Sequence, residues 1–177
     1  MNDLRFVAAI GGAKQKALLM EHKDENVRAA VAVYGSTKMR NALIDDVSDK
    51  VRSAIAQHGN AHHRDKLVHD KSVNVRFAVA RYGNDRQRQQ LLDDPDERVR
   101  LNVATYGNEN QRWVLLEDDS YIVRAEVAVC GNDEQRMFLV DDEDEWVRTC
   151  VARYGGNVVQ ELLSDHGDKT ANSSVSP

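Results

Sequence analysis

Glycine recurs every 24 residues along this 177-residue chain, at seven positions and without a slip. The seven are Gly11, Gly35, Gly59, Gly83, Gly107, Gly131 and Gly155. An alanine stands three residues before each glycine, a leucine stands eight residues after it, and a Val-Arg pair precedes every glycine but the first. A period of this length is typical of repeat proteins, in which each unit packs on its neighbours.

One unit of the repeat predicts a helix of about three turns. Val99 and Val103 are four residues apart and therefore lie on one face of a helix. The Asp94-Pro95 pair predicts its start, with aspartate as N-cap and proline at the first helical position. Gly107 predicts its end, in the left-handed conformation that is common after helix C-termini.

The second half of the unit predicts a shorter helix. Asn108 follows the glycine, and Gln111 stands three residues later, which is the spacing of a capping box. The same spacing recurs in Asn84 with Gln87 and in Asn132 with Gln135. Leu115 and Leu116 supply its apolar anchors, and its short length suits a partly 3₁₀ helix.

The repeat as a whole predicts an all-α fold. Neither helix of a unit buries its apolar face alone, whereas stacked units share a continuous core. The sequence therefore predicts an α-solenoid of seven 24-residue two-helix repeats, a single domain spanning residues 1–170. Residues 171–177 are polar and outside the repeat, and we expect a disordered tail there.

The repeat also resembles known families. The string Asp94-x-x-x-x-Val99-Arg100 resembles the HEAT repeat, and the same spacing recurs in four other units. The longer pattern Val-Arg-x-x-Val-Ala-x-Tyr-Gly-Asn-x-x-x-Arg-x-x-Leu-Leu-x-Asp resembles the leucine-rich repeat variant family more closely. That resemblance implies a right-handed superhelix in which α-helices alternate with short, often 3₁₀, helices.

Composition limits the other expectations. The founding leucine-rich repeat variant protein carries a cysteine-rich iron–sulfur module, but this chain has two cysteines, Cys130 and Cys150, so we expect no metal or other cofactor. No apolar run approaches the roughly 20 residues that span a membrane. The first residues lack the pattern of a signal peptide, and two cysteines form no disulfide framework. We therefore expect a cytoplasmic protein with no membrane contact.

The repeated Val-Arg arginine is predicted to be structural. Each arginine from the third unit on stands six residues after an aspartate, as Arg52 follows Asp46. Charge-assisted hydrogen bonds between the two would hold helix ends and fix neighbouring units in register. We expect each arginine to pair with the aspartate that precedes it.

A second basic column lies on the short helices. Its members are Arg40, Arg64, Arg88, Arg112 and Arg136. It could be a ridge that tracks phosphates, or a solvated face paired with nearby carboxylates. HEAT-like folds include an alkylpurine DNA glycosylase family that grips the DNA backbone, so nucleic-acid binding is the alternative function. The net charge of −5 weighs against it.

The histidines and cysteines predict no catalytic site. His58 and His62 have ligand spacing, but Gly59-Asn60 places them on different helices. His58 and Cys130 both stand in the tyrosine column of Tyr34, so we expect buried positions there. Cys150 is also expected to be buried. No base accompanies either thiol, and we predict that the protein is not an enzyme.

Large apolar residues in variable columns predict a binding surface. They are Phe77, Leu101, Trp113, Tyr121, Ile122, Met137 and Trp146. Aromatic residues and methionine are enriched at the centres of protein interfaces. We predict a non-catalytic scaffold that binds a protein partner, or a second copy of itself, through its long helices. The structural alternative is a larger local core, or a patch that covers the C-terminal end of the stack.

Overall fold

The computed structural model describes residues 4–157, 159–161 and 164, and all their regular secondary structure is helical. The helices are α1 (Leu4–Ile10), α2 (Ala13–Leu19), α3 (Glu25–Tyr34), α4 (Thr37–Ala42), α5 (Asp49–His58), α6 (Ala61–Leu67), α7 (Val73–Tyr82), α8 (Asp85–Gln89), α9 (Glu97–Tyr106), α10 (Glu109–Val114), α11 (Tyr121–Cys130), α12 (Asp133–Phe138) and α13 (Glu145–Tyr154). A 3₁₀ helix, Leu115–Glu117, follows α10. From α3 to α13, helices of ten residues alternate with shorter ones, as the repeat predicts, whereas α1 and α2 have seven residues each.

The chain divides into two compact units, Met1–Val99 and Arg100–Pro177. In the first unit α3 packs on α1 and α5, and α5 packs on α7. In the second unit α11 packs on α13. Each unit is thus a stack of two-helix repeats, and the predicted α-solenoid class is confirmed. Residue 170, where the predicted single domain ends, and the predicted tail at residues 171–177 lie outside the described residues. The predicted domain boundary and the predicted tail therefore stay predictions.

The repeated apolar columns form the core. Val51, Val75 and Val79 are fully buried in the first unit, as are Val123 and Val127 in the second. Burying an aliphatic side chain of this size stabilises a fold by about 1.5–3 kcal/mol relative to leaving it exposed. Because the same columns recur in every repeat, each added pair of helices extends the core by an equivalent layer.

The arginine ladder exists, but its predicted partner is wrong. Nε and Nη2 of Arg52 donate to the two carboxylate oxygens of Asp70, 18 residues later, at 2.7 and 2.9 Å. Asp46, six residues before Arg52, accepts a hydrogen bond from Arg52 only at its main-chain carbonyl, at 2.6 Å. The guanidinium therefore binds the loop that precedes its own helix and the loop of the following repeat. The other ladder pairs described are Arg28–Asp46, Arg76–Asp94, Arg100–Asp118 and Arg124–Asp142.

The long helix α9 does not begin at the predicted position, because Asp94 takes part in the arginine ladder. Helix α9 begins at Glu97 rather than after Asp94-Pro95. The main-chain N–H of Arg98 donates to Asp96 at 3.0 Å, so Asp96 caps the helix. Asp94 instead accepts from the N–H of Asp96 at 3.0 Å and pairs with Arg76 at 2.6 Å. The Asp94 carboxylate therefore pairs with the ladder arginine and closes a turn, and it does not cap the helix.

The glycine after each long helix is also explained differently from the prediction. No glycine within residues 4–157 has a positive φ, so the left-handed cap expected at Gly107 is wrong. Gly83, which follows α7, has extended backbone angles, φ −74° and ψ 174°. A Cβ atom there would lie 2.5 Å from the carbonyl oxygen of Val79 and 3.0 Å from Oε1 of Gln87. Glycine is required because the chain turns tightly into the short helix.

The capping boxes of the short helices are confirmed. In the first unit the Asn84 side chain accepts from the N–H of Gln87 at 3.1 Å, and Gln87 Oε1 accepts from the N–H of Asn84 at 3.0 Å. The fully buried Gln87 amide also donates to the carbonyl of Ala61 and to Asp65, both at 2.9 Å. This second role, which links successive short helices, went unpredicted although the glutamine recurs.

We expect the ladder to make stability acid-sensitive. Burial raises the pKa of Asp70, but hydrogen bonds from Arg52 and from the N–H of Ser72 outweigh it, leaving the pKa below its usual 3.8. A depressed pKa means that the stabilisation is present above pH 3.8 and is lost as the pH falls through the folded-state value. Asp46 and Asp142 shift in the same direction.

Thermal melts followed by circular dichroism across the acid range test this expectation. The melting temperature should fall steeply below about pH 4, and by less in the double variant Arg52→Met/Asp70→Asn, which lacks one titrating pair. A melting temperature that stays constant down to pH 2 would contradict it.

Candidate functional site

In the second unit, residues of α9, α11 and α13 line an apolar groove of about 250 Å³. Three residues of the predicted binding set lie together in it: Leu101, Ile122 and Trp146. Ala125, Val129, Cys150 and Tyr154 add to its apolar lining. Ile122 is 39% exposed and Trp146 is 57% exposed, so both present their side chains to solvent.

The repeat shows why these two exposed side chains are unusual. Ile122 and Trp146 occupy the same column, the second position of a long helix, 24 residues apart. In the preceding repeats that column is polar: Asn26, Lys50, Asn74 and Arg98. Stacking therefore does not require an apolar residue at this position, and the change to isoleucine and tryptophan needs another reason.

The other members of the predicted binding set in the second unit lie elsewhere. Trp113, on α10, stacks edge-on against Phe138, with ring centroids 5.0 Å apart. Met137 lies on α12 beside Phe138, and Tyr121 is the first residue of α11; neither lines the groove. Phe138 is 72% exposed and was missed by the sequence analysis, although its column holds lysine or glutamine in two other repeats. The predicted set thus divides between the long-helix groove and the short helices.

Phe77 belongs to a separate groove in the first unit. This groove, about 520 Å³, is formed by α3, α5 and α7 and is lined in part by Val33, Ala54 and Phe77. Its columns are those of the groove in the second unit, because Phe77 and Leu101 stand 24 residues apart. Both units therefore present a groove on the same face of their long helices.

The arginines of the second basic column donate hydrogen bonds to main-chain carbonyls of the protein. Arg40 donates from Nε to the carbonyl of Ala32 and from Nη2 to that of Val33, both at 2.8 Å. These carbonyls end the preceding long helix, where main-chain acceptors need partners. Arg88 and Arg136 make the same contacts with the long helix that precedes each of them, and Arg64 and Arg112 donate to the carbonyls of Gly59 and Gly107. Burial lowers the pKa of Arg40, Arg64 and Arg88.

The tyrosine column is exposed, so the prediction of a buried position for His58 is wrong. Tyr34 is 54% exposed, and His58 is also exposed. This column is the last residue of each long helix, which points outward just before the glycine turn. His58 ends α5 and His62 lies in α6, on different helices as predicted. Within the described residues no three histidine, cysteine or acidic side chains group as metal ligands.

The two thiols are protected from ionisation. Cys150 is buried as predicted, whereas Cys130 is half-buried. Burial, followed by a hydrogen bond to Glu126, raises the pKa of the Cys130 thiol to about 11. Burial also raises the pKa of Cys150. At neutral pH both thiols are therefore protonated, which is the unreactive form.

None of the helices within the described residues has the length and apolar character needed to cross a bilayer.

Together the repeat, the helix order and the packing define an α-solenoid repeat protein. No family model matches the sequence, and no curated protein matches it. Among solved structures, the chain is similar to one described as a leucine-rich repeat variant with a novel repetitive protein structural motif. The two share 24% sequence identity and superpose with a TM-score of 0.75 over 86% of this chain. The match spans 65% of that structure's chain, and it shows a common fold.

Proposed function

We propose that this protein is a non-catalytic scaffold that binds a protein partner through the long-helix groove of its second unit. The observation that carries the proposal is the exposed pair Ile122 and Trp146, in a column that is otherwise polar. Large exposed apolar groups promote association unless something covers them. Tryptophan is also among the residues whose truncation most often weakens an interface by about 2 kcal/mol or more.

The other candidate functions have less support. Binding of nucleic acid would need free arginine donors, but the short-helix arginines donate to main-chain carbonyls, and the net charge is −5. Catalysis by a thiol would need a lowered pKa, and the pKa of both cysteines is raised. A binding scaffold needs neither feature.

Trp146→Ala tests the proposal. We expect it to weaken binding of partners recovered from the native host by about 30-fold, because 2 kcal/mol corresponds to that factor. It should leave the melting temperature nearly unchanged, since the side chain is 57% exposed. The measurement is quantitative pull-down with mass spectrometry, followed by a dissociation constant for the recovered protein.

Phe138→Ala is the matched control, because it removes another exposed aromatic ring that lies on α12 and outside the groove. Partner binding should survive it. If Trp146→Ala binds normally while Arg88→Glu/Arg112→Glu abolishes a salt-sensitive interaction with DNA, the short-helix arginines form the working surface and the proposal is wrong.

A further inference from the structure

A half-buried carboxylate lies in the groove of the second unit. Glu126, on α11, lines the groove together with Leu101, Ile122 and Trp146. Its column contains no other charged residue; the remaining members are Phe6, Ala30, Ala54, Ala78, Asn102 and Cys150. A carboxylate at this position is therefore not required by the stacking of the repeat.

Within the described residues, the hydrogen-bond contacts of Glu126 are with neutral donors. Oε1 accepts a hydrogen bond from Thr105 Oγ1 at 2.7 Å and another from Cys130 Sγ at 3.3 Å. Both donors are neutral and both use the same oxygen. In the part of the chain that the structure describes, no lysine or arginine forms an ion pair with Glu126. A carboxylate that has no ion-pair partner and lies next to apolar surface favours an incoming cation.

Aromatic rings in the same groove reinforce this preference. Trp146 and Tyr154 line it with exposed side chains, and the faces of such rings attract lysine and arginine. Arg153 is a positive group in the same lining, but it is exposed, and its guanidinium lies 5.6 Å from the centre of the Tyr154 ring. Water screens an exposed charge more than a half-buried one, so Arg153 repels an incoming cation less strongly than a half-buried arginine would.

We infer that the groove binds a protein segment in which a lysine or arginine lies close to a large apolar side chain. The apolar side chain packs against Leu101, Ile122 and Trp146, and the cation pairs with Glu126. This inference rests on the proposed function and adds the chemistry of the partner. Neighbouring helices lie about 8–10 Å apart, so an extended segment that crosses three of them needs roughly six residues.

Selection of peptides from a random phage-displayed library of 12-residue sequences on the full chain tests the inference. Wild type should enrich sequences with lysine or arginine within a few residues of leucine, isoleucine, phenylalanine or tryptophan. A synthetic peptide of the enriched sequence should bind Glu126→Gln about tenfold more weakly or worse, since a charge-assisted contact is lost. Glutamine keeps the acceptor for Thr105 and Cys130, so the fold is retained.

A double-mutant cycle identifies the pairing. Replacing the peptide lysine with glutamine should weaken binding to wild type but have little further effect on Glu126→Gln. Glu134→Gln, which removes an exposed charge on α12, is the control and should bind like wild type.

The alternative outcomes separate the two proposals. If the enriched peptides lack basic residues, or bind Glu126→Gln as well as wild type, yet lose binding to Trp146→Ala, then the groove binds protein and the inference about the cation is wrong. If wild type enriches no peptide, or Trp146→Ala binds the enriched peptides normally, then the proposed function fails together with this inference.

Discussion

Replacing Arg52 with methionine is expected to lower the free energy of unfolding by about 3–5 kcal/mol. The side chains of Arg52 and Asp70 are only 6% and 7% exposed. Methionine fills much of the volume of arginine but donates no hydrogen bonds. The carboxylate of Asp70 then keeps only the N–H of Ser72 as a partner, at 2.8 Å, and a buried charge is left without its counter-ion. Urea denaturation followed by circular dichroism measures the loss.

Two further variants show whether the loss comes from the stranded charge. Arg52→Met/Asp70→Asn removes the charge but keeps an oxygen for the Ser72 N–H, so it should be more stable than Arg52→Met alone. Arg98→Met changes an arginine that is 59% exposed and paired with Asp96 at 2.9 Å, and it should cost about 1 kcal/mol or less. Equal destabilisation by Arg52→Met and Arg98→Met would show that the ladder contributes no more than a surface ion pair.

Gly83→Ala is expected to destabilise the protein by about 3 kcal/mol, at the upper end of the range for overpacking. The backbone angles at Gly83 suit alanine, so the cost is steric and not conformational. The new Cβ would lie 2.5 Å from the carbonyl oxygen of Val79, which already accepts the N–H of Gly83 at 2.7 Å. Relief of that overlap would shift the turn and disturb the buried Gln87. Urea denaturation is again the measurement.

Gly12→Ala is the matched control in the same unit. Gly12 has similar extended angles, φ −69° and ψ 170°, but a Cβ atom there would meet only Gln15 Oε1, at 4.0 Å. This variant should be neutral, or more stable by about 0.4–1 kcal/mol, because alanine restricts the unfolded chain. If Gly83→Ala were as stable as Gly12→Ala, the close approach would not explain the glycine.

These predictions separate two kinds of column in the repeat. The valine, alanine, glycine and arginine columns recur because every stacked unit meets the same neighbours and needs the same contacts. Stacking does not require particular residues in the groove columns, so Ile122, Glu126 and Trp146 can be used to bind a partner. Stability and binding should therefore respond to different substitutions, and the expected small effect of Trp146→Ala on the melting temperature follows from this separation.

The candidate site was only partly predictable. Ile122 and Trp146 were identifiable because they break a polar column, and a break in a column is visible in the sequence. The grouping of Leu101, Ile122 and Trp146 apart from Trp113 was not, because it depends on which helices face the same groove. Glu126 was missed because a glutamate on a helix is ordinarily solvated, and only burial beside apolar side chains makes it notable.

The sequence by itself determined the helical class, the 24-residue period, the alternation of long and short helices and the capping boxes. All of these depend on contacts within a few residues of each other or on one side-chain periodicity, and such information is local. Tertiary structure alone decided the partner of each arginine, since Arg52 has a carboxylate six residues before it and another 18 residues later, and only stacking brings the later one into reach. It also decided the role of the glycines, because the close approach at Gly83 arises from the path of the chain into the next helix.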